Sequence, residues 1–428
     1  MSEDPTPTQH PAARLAPWAS LRYRDYSLLF LLSLCATTAQ QMRQTQNFYQ
    51  AYEISGSAFQ LGLTGVAQGV PIFVFGLFGG TLADFFDRKK LILLTTLGNL
   101  LVAVALGLLT LTGLIQVWHI QAGTAMTSAL NIVLNPTRMS LISYLVPRTH
   151  ITNAVSLNSA ISQGSHFIGP MLGGLSLAWM STGNAYLFNA LFYLPAVYAI
   201  LSLTIPASAG PSREKLAFAS LLGGVKFLFS EPVVLAMVLL DFVIVGVGYY
   251  RPLLPIFAKD ILFVGPAGFG MLSSAPAVGG MIGTVTLLVI RDVKSKGMLA
   301  LWSFLAYALA LGAFALSANF WLSLGFLGVM GMANSLQAVM RQTSFHLLTP
   351  QQVRGRAFAV FHMFSQGANS VGATEVGFMA ALIGAPGSLL FGNFIVGERR
   401  RGSSVTPSTT RHRPGLYFIV VDVESFSL

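Results

Sequence analysis

The sequence predicts an all-α, polytopic membrane protein, and three observations carry that expectation. Hydrophobic residues make up 54% of the 428 positions and charged residues only 9%, whereas a soluble chain carries roughly 25% charged residues. Apolar runs close to the ~20 residues that a helix needs to cross a ~30 Å hydrocarbon core recur along the chain. These runs are continuous, without the in-and-out alternation of barrel strands.

Candidate spans fall near 26–50, 61–83, 91–112, 117–138, 155–178 and 183–204. After a polar linker, others fall near 232–257, 266–290, 297–316, 320–345 and 357–383. Lys and Arg set their direction, because basic loops stay in the cytoplasm. With the N-terminus inside, Arg22, Arg24, Arg88, Lys89, Lys90, Arg148, Arg213, Lys215, Arg291, Lys294, Arg354 and Arg356 face the cytoplasm, and before the tail only Lys259 faces out. The halves also match at one constant offset. Gly80, Arg88, Asn131, Arg138 and Pro147 fall on Gly283, Arg291, Asn334, Arg341 and Pro350. Parallel six-helix repeats mark a transporter architecture whose substrate site lies near the midplane between the halves. The organisation expected is a cytoplasmic segment 1–25, a six-helix bundle 26–205 and a cytoplasmic linker 206–231. A second bundle, 232–396, has five clear spans and a short segment, and an atypical polar tail, 397–428, follows.

Several function classes drop out. The net charge of +10 follows membrane topology and makes no case for nucleic acid. The single Cys35 excludes an internal disulfide and a cysteine metal cluster. Residues 1–20 hold Pro5, Pro7, Pro11 and Pro17 but no apolar leader core, so the first span is expected to direct insertion. There is no phosphate-binding loop, metal-ligand spacing or nucleophile elbow, so neither an enzyme nor a metal or other cofactor is expected.

Between spans two and three the chain reads GGTLADFFDRKKL. Its glycines permit close helix packing. Asp84 can pair with a basic group or a helix N-terminus, and Arg88, Lys89 and Lys90 hold the loop inside; the basic cluster alone is also an ordinary inside loop. The stretch resembles the signature loop of the major facilitator superfamily, G-x-L-A-D-R-x-G-R-K, through Gly80, Leu82, Ala83, Asp84, Arg88 and Lys89. Phe85 replaces the family's arginine and Asp87 its second glycine. The Asp87 form is similar to the subgroup of enterobactin exporters and macrolide efflux proteins. The missing arginine removes one partner from the charge relay that latches the family's inward-closed state. NPTRMSLISYLVPRTHITNAVSLNS, around Pro136, Arg138, Pro147, Asn153 and Asn158, resembles the same subgroup. So does TPQQVRGRAF, through Arg354, Gly355 and Arg356, and the resemblance covers roughly residues 20–390.

Span five contains GSHFIGPMLGG. Gly169, Pro170, Gly173 and Gly174 supply a complete G-P-x-x-G-G, which in this superfamily resembles the antiporter motif found in exporters. Pro170 removes a backbone hydrogen bond and bends the helix, and the glycines admit tight packing against the other half. A routine kinked, glycine-packed span is the other reading of these residues.

A charge at mid-membrane costs about 2.5–3.5 kcal/mol on an insertion scale, so Arg43, Arg138, Asp241, Arg251, Arg341 and Glu375 each need a reason. Arg138 and Arg341 occupy equivalent repeat positions, where snorkelling or pairing across the bundle is one reading. Arg251 lies near the outer edge of span seven. Asp241 and Glu375 are candidate proton-coupling residues, because a proton-driven exporter needs a carboxyl that loads in one state and releases in the other. A fixed ion pair, for instance with Arg43, is the alternative. His166 reads as a hydrogen-bonded packing residue.

The outer half of span one is unexpectedly polar. At about 100° per residue, Gln40, Arg43, Gln44, Gln46, Asn47 and Gln50 share an arc of about 160°. In the fold that the resemblance implies, span one lines the central cavity, which makes this stripe the candidate substrate-binding surface. Hydrogen bonding between helices is the alternative. Farther on, only about nine apolar-leaning residues separate Pro386 from Glu398, too few to cross a bilayer, and the composition then shifts to Arg, Ser and Thr. A twelfth helix truncated or replaced through an altered gene end is expected; a short re-entrant segment is the competing account.

The features and the resemblance together imply a monomeric secondary transporter of the bacterial inner membrane, with a cytoplasmic N-terminus. It would export a small amphipathic molecule of drug, macrolide or siderophore type by alternating access and proton antiport. Its partners would be that substrate, the proton and the lipid bilayer. An uptake symporter of the same fold and a transport-inactive chain with a damaged C-terminus are the alternatives.

Overall fold

The computed structural model describes residues 16, 18–85, 87–205, 248–290, 296–349 and 351–398. The linker 206–231, most of the predicted seventh span and the tail beyond Glu398 lie outside the described residues. The described elements are all helical. The first half contains α1 (Arg24–Ser55), α2 (Ala58–Phe85), α3 (Arg88–Leu111), α4 (Val117–Leu145), α5 (Ile151–Trp179), α6 (Thr182–Leu191) and α7 (Tyr193–Ser202). The second contains α8 (Gly265–Ile290), α9 (Lys296–Leu316), α10 (Phe320–Leu348) and α11 (Gln351–Glu398). Among the described residues, six helical stretches are long and apolar enough to cross a membrane, at 58–76, 88–111, 182–202, 265–287, 320–341 and 363–392. α1, α4 and α5 have the length, at 32, 29 and 29 residues, but carry more polar side chains.

Local chemistry sets the ends of these helices. Gly56, at φ 59° and ψ 16°, closes α1 in the left-handed conformation that side chains resist, and its N–H donates to the Tyr52 carbonyl. The Asp87 carboxylate accepts from the Lys89 and Lys90 backbone N–H groups at 2.8 and 3.1 Å. The residue that departs from the superfamily loop therefore caps α3. The predicted single run 183–204 is two helices meeting at Phe192. Pro195 has no N–H to give the Leu191 carbonyl, and its ring crowds that carbonyl, so the break falls one turn upstream.

α11 reverses at Gly384, at φ 78° and ψ 162°. A straight helix would hold residues 376 and 388 ~18 Å apart, yet Ser388 Oγ donates to the Val376 carbonyl at 3.0 Å. Residues 385–398 thus run back along the preceding stretch, as a helix of about 21 Å. Ala385 and Leu389 bury into the apolar core, which gives this short segment a packing partner.

One end of the molecule carries Arg22, Arg24, Arg88, Lys89 and Arg148 and is the basic end; the opposite one is the far end. At the basic end Asp25 accepts from the Thr204 N–H at 3.0 Å, and the Tyr26 hydroxyl donates to the Ala154 carbonyl at 2.8 Å. Lys89 Nζ donates to the Leu201 and Leu203 carbonyls at 2.9 and 2.7 Å, a cation on the C-terminus of α7. The Arg88 guanidinium lies 5.1 Å from the Tyr144 ring centroid. At the far end one apolar cluster joins the halves, with Phe48, Tyr49 and Leu177 facing Leu253, Phe257 and Phe269. Across the same seam the Tyr52 hydroxyl donates to the Asp260 carboxylate.

Glycine faces bring backbones into contact. α2 meets α11 through Gly62 against Gly377 and Gly65 against Ala373, and α8 meets α10 through Gly279 against Gly328 and Gly331 against Pro276. A Cβ at Gly331 would collide with the Pro276 carbonyl, which cannot rotate aside as a side-chain tip can. Gly331→Ala is expected to cost about 1–3 kcal/mol through overpacking, read as a lower thermal midpoint in detergent micelles. At Gly325 a Cβ meets nothing within 4 Å, so Gly325→Ala is expected to leave the midpoint unchanged or raise it.

Candidate functional site

The polar stripe on α1 divides between two surroundings. Gln40, Arg43, Gln44 and Asn47, with Phe48, line a small open recess. α2 adds Thr64 and Gln68, and α4 adds Thr124, Thr127, Ser128 and Asn131. Gln46 and Gln50 do not line it. Gln46 is fully buried, and its Nε2 donates to the Ala185 carbonyl at 2.9 Å and to Ser176 Oγ at 3.1 Å. Gln50 Nε2 donates to Thr110 Oγ1 at 2.9 Å. Asn47 does both jobs, with Nδ2 donating to Thr124 Oγ1 at 3.0 Å and Oδ1 accepting from the Tyr186 hydroxyl at 2.9 Å.

The helical period accounts for the division. Gln40, Gln44 and Asn47 fall within about 60° of one another, whereas Gln46 and Gln50 sit on the flank turned toward α6 and α3. Arg43 lies between the two groups and is 2% exposed. Its Nη1 donates to the Asn99 carbonyl at 3.1 Å and its Nη2 to Asn99 Oδ1 at 2.8 Å, with the guanidinium 5.8 Å from the Tyr193 ring centroid. Gln40, Gln44, Gln68 and Asn131 make no side-chain hydrogen bond among the described residues. They leave donors and acceptors turned to the recess.

Sequence reasoning missed the α2 and α4 walls, although both carry a readable signal. Thr64 and Gln68 are spaced i, i+4, and Thr124, Thr127, Ser128 and Asn131 are spaced i, i+3, i+4, i+7. Each set is a polar stripe on an otherwise apolar helix. Gly65 and Gly69 pack on Ala373 and Ser370 of α11, and Thr64 and Gln68 each precede one of these glycines, about 100° around the helix.

The span-five motif serves two interfaces at once. Gly169 and Gly173 face α1, where a Cβ would lie 2.5 Å from Gln41 Cβ and 2.9 Å from the Met42 carbonyl oxygen. Gly174 faces α8 and meets the Gly270 backbone, and a Cβ on Gly270 would lie 3.1 Å from the Pro170 carbonyl oxygen. Toward the basic end the same face of α5 presents Thr152, Ser156, Ser159 and Gln163, all exposed. Ser156 and Ser159 donate to the Thr152 and Val155 carbonyls of their own helix at 2.9 and 3.1 Å, which leaves the Gln163 amide without a side-chain partner among the described residues. Between α5 and α8 the halves touch at the far end, and between α2 and α11 the contact runs on through Phe73 against Gly367 and Gly76 against Met363.

Gly80 and Asp84 lie near the end of α2, where the side chains are outside the described residues, as is Asp241. Glu375 is half-buried in α11. Arg43 is committed to Asn99, so the ion pair considered between these two does not form. His166 is hydrogen-bonded to the Gln41 amide. Arg138 Nη2 donates to Asn135 Oδ1 at 2.6 Å, and the Arg341 guanidinium lies 5.6 Å from the Phe361 ring centroid.

The transmembrane secretion effector family, a branch of the major facilitator superfamily, matches residues 15–396. The chain belongs to this family. It is 27% identical over 376 residues to the enterobactin exporter EntS of Shigella boydii serotype 18, covering 84% of this chain and 89% of the relative. The same figures hold for the enterobactin exporter EntS of Escherichia coli O139:H28. Among solved structures, the nucleoside transporter NupG superposes with a TM-score of 0.71 at 14% identity, over 88% of this chain and 97% of that one. A bacterial homologue of the lysosomal transporter Spinster, inward-facing and unoccupied, superposes with a TM-score of 0.67 at 15% identity, over 88% and 86%. The fold is thus that of the major facilitator transporters, two six-helix pseudo-repeats in a multi-pass membrane protein, and the protein is a transporter rather than an enzyme.

In this family member the Gly174–Gly270 contact closes the far end. Gly174→Ala is expected to prise the halves apart there. In a Cys35→Ser, Gln44→Cys background, a membrane-impermeant thiol reagent added on the far side should then label position 44 severalfold faster than with Gly174 intact. Unchanged labelling would show that this contact does not gate the recess.

Proposed function

We propose that this protein exports a small, amphipathic, oxygen-rich molecule across the bacterial inner membrane by alternating access and proton antiport. It works as a monomer with its N-terminus, and hence its basic end, in the cytoplasm. The observation that carries the reading is the recess, where unpaired amides of α1, α2 and α4 stand beside hydroxyls and the Phe48 ring. Similarity to enterobactin exporters and the complete span-five motif support the outward direction. The distribution of Lys and Arg supports the orientation.

Substrate entering from the basic end exchanges water for Gln40, Gln44, Gln68 and Asn131, whose neutral groups donate and accept without the desolvation cost of a full charge. Phe48 offers an apolar face to the rest of the molecule. Gln46, Gln50 and Asn47 keep α1 from rotating, so the wall keeps its shape when empty. The halves then rock at the α2–α11 and α5–α8 seams. Asp241 and Glu375 take up protons in the outward-open state and release them in the inward-open state, so that proton and substrate favour opposite states.

Inverted membrane vesicles from a strain without its own exporters test this reading with a panel of a macrolide, a siderophore and a lipophilic dye. A proton gradient should drive accumulation of at least one of them, and an ionophore should abolish it. Gln44→Ala and Gln68→Ala should each lower accumulation by up to about tenfold, the worth of one ligand hydrogen bond. Asp241→Asn and Glu375→Gln should remove its pH dependence. Flux in the opposite direction would make the protein an uptake symporter, and full pH-dependent export by both carboxyl variants would move coupling to other residues.

A further inference from the structure

The buried cation on α1 has neutral partners. Among the described residues Arg43 meets the Asn99 carbonyl, the Asn99 amide oxygen and the Tyr193 ring, none of which carries a negative charge. A guanidinium withdrawn from water is ordinarily met by Asp or Glu, because dipoles alone leave its net charge in place. The other side chains of the recess are Gln40, Gln44, Asn47, Gln68, Asn131 and uncharged hydroxyl and aromatic groups. Among the described residues the recess therefore carries one positive charge, hidden from bulk water and little screened by salt.

Asn99 is itself held in one orientation. Its Nδ2 donates to the Thr95 carbonyl at 2.9 Å, which turns Oδ1 toward Arg43. An aspartate at this position would be nearly the same size, would lose the Thr95 bond, and would place a carboxylate on the guanidinium. One atom on α3 thus separates a cationic recess from a neutral one.

We propose that Asn99 sets the charge preference of the recess: by holding Arg43 with neutral oxygens it keeps the guanidinium charge available to an oxyanion, such as a carboxylate, on the substrate. The inference rests on the recess being the substrate site. Asn99 is a positioning residue here, since it acts through Arg43, and the charge-assisted hydrogen bond to substrate comes from Arg43.

Calorimetric titration of the purified full chain in detergent micelles with gallate and gallamide tests it. The two probes match in size and hydroxyl pattern and differ in carboxylate against amide. The wild type should bind gallate about tenfold more tightly than gallamide, the scale of one added charge-assisted contact. Asn99→Asp should bring that ratio to one or below, and Arg43→Gln should do the same. Asn99→Ala should weaken both probes and keep the preference for gallate, because the charge remains while its anchor is lost. This variant and Arg43→Gln carry the test if Asn99→Asp does not fold. A wild type that binds neither probe, or both equally, overturns the inference, as does a folded Asn99→Asp that still prefers gallate. Gln44→Ala and Gln68→Ala separate the two readings. Both should weaken gallate and gallamide alike. If neither does while Asn99→Asp still removes the preference, the role of Asn99 stands and the recess is not the substrate site.

Discussion

Polar groups taken out of water into a membrane interior have to be met by partners on neighbouring helices, and in this protein α1 concentrates that demand. Arg43 reaches Asn99 of α3, Asn47 reaches Thr124 of α4 and Tyr186 of α6, Gln46 reaches Ser176 of α5 and Ala185 of α6, and Gln50 reaches Thr110 of α3. One helix is thereby tied to four others. Each interhelical hydrogen bond in a membrane contributes only about 0.6 kcal/mol on average. Leaving the same group buried and unpaired costs more, about 1–3 kcal/mol. The asymmetry makes these bonds determinants of rotation and register more than of overall stability. Once α1 is locked in this rotation, Gln40 and Gln44 turn toward α2 and α4 without a hydrogen-bond partner among the described residues, and the recess follows.

The contacts between the halves are of a different kind. Gly62 against Gly377 and Gly174 against Gly270 place backbone on backbone with no side chains between. Side chains flank these glycines, with the Phe59 and Phe378 rings stacked 4.9 Å apart across α2 and α11 and the Tyr49 and Phe269 rings 5.5 Å apart across α1 and α8. The span-five motif shows the economy of the arrangement. On neighbouring faces of one helix turn, Gly169 and Gly173 bind α5 to α1 within a half while Gly174 closes it on α8 across the halves. The wall of the recess and the closure at the far end are mechanically continuous through α5.

Much of this was legible in the sequence. Apolar run length marks the spans, the Lys and Arg bias marks the basic end, and the motif residues mark the family. The stripe on α1 was visible as an arc, but the arc does not say which of its members face a neighbour. Gln46 and Gln44 are chemically identical and two residues apart, and only the position of α6 makes the first an anchor and the second a free amide. The break at Phe192 was available from Pro195 alone. The returning segment after Gly384 was not, because a hydropathy count registers length and apolarity and cannot see that Leu389 has a core to enter.

What the sequence determined by itself was the solvent this protein folds in, its helical character and the family of its fold, since these depend on transfer energies and local sterics carried by each segment. What the tertiary structure decided was pairing: that Arg43 is met among the described residues by the Asn99 amide, that Thr64 and Gln68 share a recess with Gln44, and that α5 joins both halves. Pairing depends on the relative rotation of helices far apart in the chain, and that rotation is set by the joint requirement that every buried polar group and every glycine face find its counterpart.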